Sequence, residues 1–342
     1  MKNKKSIEDW EHFFISRGIS RDYVTNYIKY IEVLNKNDLP VIFELEHLSK
    51  LFGIKISILA SMINAPDNFY RKFQIPKRNG GIRNIISPYP SLLHCQKWIY
   101  ENILLKFKVH EKCHGFTPCR SIFTNTIDHL ACKNLLKMDL KDFFPSIPIN
   151  WVIHFFSSIG YPNNISLYLA KLCCYDDKLT QGSATSPYIS NLLLISLDRR
   201  LTTLSSKFNL KYTRYADDLT FSGNHISLKF IDIVSDFIKQ YGLTVNSDKT
   251  RLVKGKGSKI VTGLSVKNST IKLPRKYTRR LRCEIHCIRK YGFISHVSKM
   301  KIKDPYYIDS LIGKINFWLQ AEPRNKFATD AASFFKSLKN NL

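Results

Sequence analysis

None of the eight cysteines forms a Cys-x-x-Cys pair, which argues against a disulfide framework and leaves reduced, mostly packed thiols as the expectation. His110, Cys113, His114 and Cys119 form one cluster resembling zinc ligands, but their spacing matches no standard finger, so ordinary packing is expected there. No stretch approaches the roughly 18 apolar residues that span a bilayer. Met1 to Lys5, followed by Ser6-Ile7-Glu8-Asp9, lacks the apolar core of a secretion signal. A cytoplasmic protein without membrane contact is expected. Internal repeats and low-complexity tracts are missing too. Acidic side chains are scarce, with 27 Asp plus Glu against 53 Lys plus Arg and a formal net charge of +26. Such a surplus points to a polyanionic partner such as nucleic acid.

Hydrophobic residues make up 44% of the 342 residues, enough to bury a large core arranged as several contiguous lobes. The first 68 residues read as helical: Tyr23, Tyr27, Ile28, Ile31 and Leu34 recur near helical spacing, and His47 to Met62 reads as helix, turn at Gly53, helix. No basic recognition face follows Gly53, so an ordinary helical hairpin is preferred to a DNA-reading one. Phe73 to Lys77 and Ile82 to Ile86 flank Arg78-Asn79-Gly80-Gly81, a hairpin signal with Asn-Gly at its tip. Trp151 to Gly160, Ser186 to Leu204 and Leu228 to Tyr241 carry helical apolar spacing, and Ser186 with Pro187 reads as a helix cap.

The chemistry is carried by acids. Tyr215-Ala216-Asp217-Asp218 reads as a tight turn between strands. Neighbouring Asp side chains alternate faces along a strand and converge on one cation only where a turn breaks the alternation. A third carboxylate, Asp139, ends the strand-like run from Leu136, just before Phe143-Phe144-Pro145. A few carboxylates plus substrate phosphates are what Mg²⁺ takes, and two such ions serve phosphoryl transfer. An Asp-Asp turn alone is more often solvated turn chemistry. Three further segments add weight: Thr180 to Pro187 with Gln181-Gly182, Gly242 to Thr250 with Lys249, and Val261-Thr262-Gly263.

In that order these motifs resemble a bacterial reverse transcriptase, most closely the retron type, from about Phe69 to Val266. The resemblance implies an α+β right-hand polymerase: a helical N-terminal region over 1–68, fingers over 69–134, an antiparallel palm over 135–266 and a helical basic thumb over 267–342. It makes Asp139, Asp217 and Asp218 ligands of two Mg²⁺ ions and places Lys249 by the leaving pyrophosphate. It sets Lys77 and Arg83 on the triphosphate of the incoming dNTP, Gln181 and Gly182 against the nascent pair, Tyr215 among the substrate-binding residues, and Phe144 against the sugar. If the segment is extended, Phe143 turns the other way into the core. Val261-Thr262-Gly263 is a retron hallmark in the primer-grip region. Asn125-Thr126-Ile127-Asp128-His129 stands in place of an Asn-Ala-x-x-His hallmark, with Thr126 replacing Ala.

Arg275, Arg279 and Arg282, with Lys276 and Arg280, put cations on adjoining helical faces among aromatics, either a solvated face or an RNA contact. The resemblance further implies a cognate structured noncoding RNA as template and primer, an internal 2′-hydroxyl as starting point, an RNA–DNA hybrid, branched single-stranded DNA as product, a retron effector protein and a role in antiphage defence. A mobile-intron or diversity-generating reverse transcriptase, a nucleotide cyclase and a non-catalytic RNA scaffold are the rival readings. Val261-Thr262-Gly263 argues against the first two enzymes, the Gln181-Gly182 loop and the charge against the cyclase, and the three Asp residues with Lys249 against the scaffold.

Overall fold

The computed structural model describes residues 6–77 and 80–340. Arg78 and Asn79 of the hairpin tip, and Met1 to Lys5, lie outside the described residues. In chain order come α1 (Ile7–Ser16), α2 (Arg21–Lys36), α3 (Leu45–Phe52), α4 (Ile56–Asn64), β1 (Tyr70–Pro76), β2 (Ile82–Pro88), α5 (Pro90–Asn102), α6 (Ile122–Ile127) and β3 (Asn134–Asp139). They are followed by α7 (Ile149–Ser158), α8 (Asn163–Cys173), α9 (Ser186–Leu193), α10 (Ile195–Lys207), β4 (Lys211–Tyr215), β5 (Asp218–Gly223), α11 (Leu228–Gln240) and β6 (Arg251–Val253). The chain closes with β7 (Ile260–Val261), β8 (Leu264–Ser265), α12 (Arg275–Tyr291), α13 (Phe293–Lys299), α14 (Tyr307–Ala321) and α15 (Lys326–Asn340). Helices and antiparallel strands both contribute, as an α+β chain requires. No helix among the described residues is long and apolar enough to cross a membrane.

Two compact units form. The first comprises residues up to Glu111 with Leu140–Arg199 and Phe237–Thr244. Ser6 caps α1 reciprocally with Asp9, which satisfies two N–H groups that the helix leaves open. The buried face of α2 is Val24, Ile31 and Leu34, whereas Tyr23, expected on that face, is 64% exposed. Val24, one position on, completes the three-and-four spacing instead. Gly53 joins α3 to α4 with φ of +68°, a left-handed helix stop that glycine adopts without strain. β1 and β2 pair from Tyr70↔Pro88 to Pro76↔Ile82.

Two expectations from the sequence do not hold in this unit. Ser186 does not cap α9: Thr185 holds the cap position, and Ser186 Oγ accepts the Thr180 N–H at 3.3 Å. The helix expected from Ser186 to Leu204 is broken at Leu194 into α9 and α10. Ser190 donates back to the Pro187 carbonyl at 2.8 Å, a local bond of the kind that bends helices.

The second unit holds Lys112–Asp139, Arg200–Asp236 and the chain from Val245. Its centre is a four-stranded antiparallel sheet in the order β4-β5-β3-β6. Leu135, Leu136, Met138, Leu219 and Phe221 are buried on it. Farther along, α12, α14 and α15 close a separate core around Leu281, Ile285, Leu311, Ile315, Trp318 and Phe335, against which Ile122 and Phe123 of α6 pack. All eight cysteines are free.

Candidate active site

The acidic turn is built by a hairpin with no slack. Tyr215 pairs with Asp218, so Ala216 and Asp217 alone make the connection. Ala216 has φ of +57°, a left-handed conformation that costs an L-residue about 1 kcal/mol and is favoured at the first central position of a hairpin turn. Three contacts hold it. Arg214, fully buried, donates through Nη1 to the Ala216 carbonyl at 3.2 Å. The segment before α6 runs beside β4, with Arg214 N–H donating to Lys112 O and His114 N–H to Arg214 O, each at 2.8 Å. A Cβ on Gly115 would stand 2.4 Å from the Ala216 nitrogen, so glycine alone fits there. Sequence reasoning missed Arg214 and Gly115; the place of Arg214 in a strand directly before the acidic turn was the available signal.

Asp139 and Asp218 are direct cross-strand partners at the end of β3 and β5, with Asp217 on the adjoining turn. Asp139 is buried, and Lys249 Nζ donates to both its oxygens at 2.8 and 3.0 Å. Asn246 is a second partner unmarked in the sequence: its N–H donates to the Asp139 carbonyl at 2.7 Å and its amide reaches Oδ1 at 3.5 Å. Burial, then the charges of Asp218 and Asp139, push the Asp217 carboxyl up to about 6. Burial also raises Asp218, with Lys137 and Lys249 pulling it back. The bond to Asp139 raises the Lys249 ammonium.

Among the described residues no three His, Cys, Asp or Glu side chains stand as a finished metal cage. At Asp139 the Lys249 ammonium lies against both carboxylate oxygens. The donor set itself fits a hard divalent cation: three carboxylates are gathered at one strand end, and burial, with the neighbouring carboxylates adding to it, raises Asp217 and Asp218. Of the cluster near α6, Cys113 lies against the Gly115 carbonyl and His114 shares a 2.9 Å hydrogen bond with Thr124.

The residues expected to meet the nucleotide lie in the first unit, apart from Tyr215, which is half-buried on β4. Lys77 and Arg83 are exposed on the β1–β2 hairpin. The Gln181-Gly182 loop is tied to that hairpin: Ile86 N–H donates to Gln181 O at 2.9 Å, and a Cβ on Gly182, at φ of +131°, would stand 2.5 Å from Ile86 O. Gln96, buried and unnoticed in the sequence, anchors the next residues. Its amide donates to Tyr70 Oη and Leu172 O, while its Oε1 accepts from Ser183 Oγ and Ala184 N–H. The segment carrying Phe143 and Phe144 is a turn rather than an extended strand, because Asp142 takes φ of +46° and its carbonyl accepts the Ser146 N–H. Phe143 is nonetheless buried and Phe144 only half so, their ring centres 5.2 Å apart.

After Val261, the last residue of β7, Thr262 and Gly263 form a second two-residue turn into β8. Thr262 and Gly263 both have positive φ, +43° and +85°, and a β-branched residue there is a true outlier. α6 restrains it. Thr262 Oγ1 donates to Ile122 O at 3.2 Å, receives the Asn125 amide at 3.5 Å and lies 3.3 Å from Thr126 Oγ1. Two segments far apart in sequence therefore interlock. His129 lies beneath the strands, bonded to Ser222 on β5 at 2.6 Å and Thr213 on β4 at 2.7 Å. On α12, Arg275 and Arg279 are exposed, while the Arg282 guanidinium lies over the rings of Phe327 and Trp318 at 4.7 and 5.3 Å.

Comparison with known proteins agrees with this geometry. Residues 75–278 match the family model described as "Reverse transcriptase (RNA-dependent DNA polymerase)". The retron Ec86 reverse transcriptase of Escherichia coli is 32% identical over 304 residues, covering 85% of this chain and 95% of that protein. The retron Mx65 reverse transcriptase of Myxococcus xanthus is 33% identical over 277 residues, covering 74% of this chain and 65% of that one. A telomerase from Candida albicans, solved with a TWJ fragment of telomeric RNA, aligns over 78% of this chain and 63% of its own at 12% identity, with a TM-score of 0.46, too slight a likeness to build on. The chain belongs to the reverse transcriptase family and is a retron-type RNA-directed DNA polymerase with the right-hand polymerase fold.

Proposed function

We propose that this polymerase copies a cognate structured noncoding RNA that serves as both template and primer, starting from an internal 2′-hydroxyl and yielding branched multicopy single-stranded DNA. The observation that carries this reading is the interlock of Asn125 and Thr126 with the Val261-Thr262-Gly263 turn. A strained turn persists only where its surroundings over-determine it, and here the support comes from the two segments that mark the retron type. Thr126, where the family pattern has Ala, adds a hydroxyl to that support rather than weakening it.

Reverse transcriptases use divalent metal ions, and Asp139, Asp217 and Asp218 are the residues that would hold two Mg²⁺ here. Such ions, when bound, lower the pKa of the attacking hydroxyl and stabilise the leaving pyrophosphate. The chain's own residues do the rest in this reading. Lys249 supplies positive charge beside Asp139 for the leaving group. Lys77 and Arg83 neutralise the triphosphate of the dNTP from a hairpin that Gln181 and Gly182 brace. Tyr215 and the Gln181-Gly182 loop border the nascent pair, and Phe144 excludes a 2′-hydroxyl from the sugar. Val261, Thr262 and Gly263 hold the primer strand, and Arg275, Arg279 and Arg282 take RNA phosphates.

Sequencing the nucleic acid that copurifies with the protein tests the reading. DNA joined by a 2′,5′ branch to a structured RNA is the expected result; linear DNA on an unrelated template would overturn self-priming. The same reading assigns the product to antiphage defence together with an effector protein. Phage plating on cells carrying the wild-type or Asp217→Asn enzyme checks that assignment, which fails if both plate alike.

A further inference from the structure

The sheet that carries the carboxylates has a second polar end. Five residue steps up β3 from Asp139, about 17 Å away, the strands finish among lysines. Lys211 opens β4 opposite Ser222, Lys133 precedes β3, and Lys254 follows β6, all within a rung or two of the same end. Lys256 projects from the loop beyond β6, and all four side chains are exposed. No Asp or Glu occurs in 131–134, 209–211, 222–226 or 251–259. None of the four lysines takes part in an ion pair among the described residues, whereas nearby Lys112 is paired with Asp128.

This rim is built rather than loose. Asn134 ties three segments together: its amide donates to Asn224 O at 2.7 Å, and its Oδ1 accepts the Gly255 N–H at 3.3 Å. Lys259 is buried, and its ammonium donates to the Gly255 carbonyl, which pins the Lys254-Gly255-Lys256-Gly257-Ser258 loop and adds a fifth positive charge beneath it. Strands about 4.8 Å apart set Lys211, on β4, and Lys254, just past β6, roughly 14 Å from each other. A row of cations of that length suits the sugar–phosphate backbone of a nucleic acid, which presents a charge every few ångströms.

We propose that this lysine end is a second RNA contact, separate from the carboxylates and from α12, which anchors the template RNA by its backbone. The proposal rests on the chain being an RNA-directed polymerase, not on self-priming. A variant with Lys133, Lys211, Lys254 and Lys256 changed to Gln tests it, beside a control that loses the same charge elsewhere, at Lys29, Lys36, Lys55 and Lys97. The probe is a labelled RNA hairpin with single-stranded flanks, titrated over a range of salt. The rim variant is expected to bind about tenfold or more weakly, with the log–log salt slope falling by roughly 0.7 to 0.9 for each phosphate that the protein no longer neutralises. KM for the RNA template should rise while kcat, KM for dNTP and the melting temperature hold, and the control variant should bind like wild type. An unchanged slope overturns the proposal, as does an equal loss in the control, which would reduce the effect to net charge. Failure of self-priming would show instead as unbranched product from every variant, wild type included.

Discussion

The two ends of the central sheet share strands and core but follow opposite electrostatic logic. At one end Asp139, Asp217 and Asp218 are crowded and largely withdrawn from water, with the Lys249 ammonium hydrogen-bonded to Asp139. At the other end Lys133, Lys211, Lys254 and Lys256 are exposed and make no ion pair among the described residues. Crowded, desolvated charge is unstable unless something binds it, whereas solvated charge costs the fold almost nothing. In the functions proposed for them, the carboxylate end grips cations and the lysine end accumulates contact with a polyanion. Mutations should separate the two: chemistry and stability respond at the first, affinity and salt dependence at the second.

The largest effect is expected from Asp217→Asn. DNA synthesis should fall below a few per cent of wild type, because a neutral amide of the same volume is a poor ligand for dications, while RNA binding stays nearly intact. Stability should move the other way in chelator. A carboxyl pushed up to about 6 is penalised in its charged form, a penalty present above that value and absent below the ordinary 3.8. At neutral pH the amide should stabilise the metal-free protein by about 1 to 3 kcal/mol, at roughly 1.4 kcal/mol per unit of raised pKa. Primer extension, RNA gel shifts and melting in chelator check the three parts. Normal synthesis, or a lower melting temperature, would dissolve the contrast between the ends.

How much of this was legible beforehand depends on distance along the chain. The Ala216-Asp217 turn, the Gly53 stop and the β1–β2 hairpin are written in a few adjacent residues, and periodicity alone finds them. Metal chemistry asks for a third carboxylate beside Asp217 and Asp218, and the strand-like run ending at Asp139 offers one, but nothing in the order of Leu136 to Asp139 tells that β3 lies beside β5. Supporting groups stayed hidden for the same reason. Gln96 reads as one polar residue on an apolar helix, Arg214 as a surface charge and Gly115 as a loop glycine, until folding brings Ser183 and Ala216 to them. Alternation gave the right burial for Phe143 and Phe144 by the wrong route, because the backbone there turns at Asp142.

That turn still leaves two rings in unlike surroundings, Phe143 buried and Phe144 half-buried. Phe144→Ala should fold normally and lose about 10- to 100-fold of its preference for dNTP over rNTP, since discrimination by overlap vanishes with the overlap. Phe143→Ala should instead lose about 3 to 5 kcal/mol of stability. Incorporation assays with both sugars, alongside melting curves, separate them. Full discrimination by a folded Phe144→Ala enzyme would return that ring to the core.

Lys249→Gln sharpens the comparison directly, since it removes one cation from the acidic end as each rim substitution does from the basic end. Its amide can still donate to Asp139 but brings no charge to a leaving pyrophosphate. We expect kcat to drop about tenfold, within the range of a single proton-transfer or charge-stabilising group, with KM for RNA unchanged. A rim lysine changed alone should show the reverse pattern. Equal effects at both ends would mean that Lys249 is another solvated cation.

The smallest effects should come from α12, where the cations fall into two kinds. Arg275 and Arg279 are exposed, so Gln at either should reduce the salt slope of RNA binding by roughly 0.7 to 0.9 and leave melting unchanged. Arg282 is different, because its guanidinium lies over Phe327 and Trp318, which belong to the core that α12, α14 and α15 enclose. Cation–π contacts of this kind contribute about 0.5 to 2 kcal/mol. Arg282→Gln should therefore lower the melting temperature as well as the slope, while Arg282→Lys, which keeps charge but loses the planar fork, should recover the slope more fully than the stability. Measuring both quantities in the three single variants decides whether the stacked ring platform orients Arg282 toward phosphate or merely closes the helical core. A variant at Arg282 that melts early yet keeps the wild-type slope would assign it to packing alone and leave RNA contact on this helix to Arg275 and Arg279.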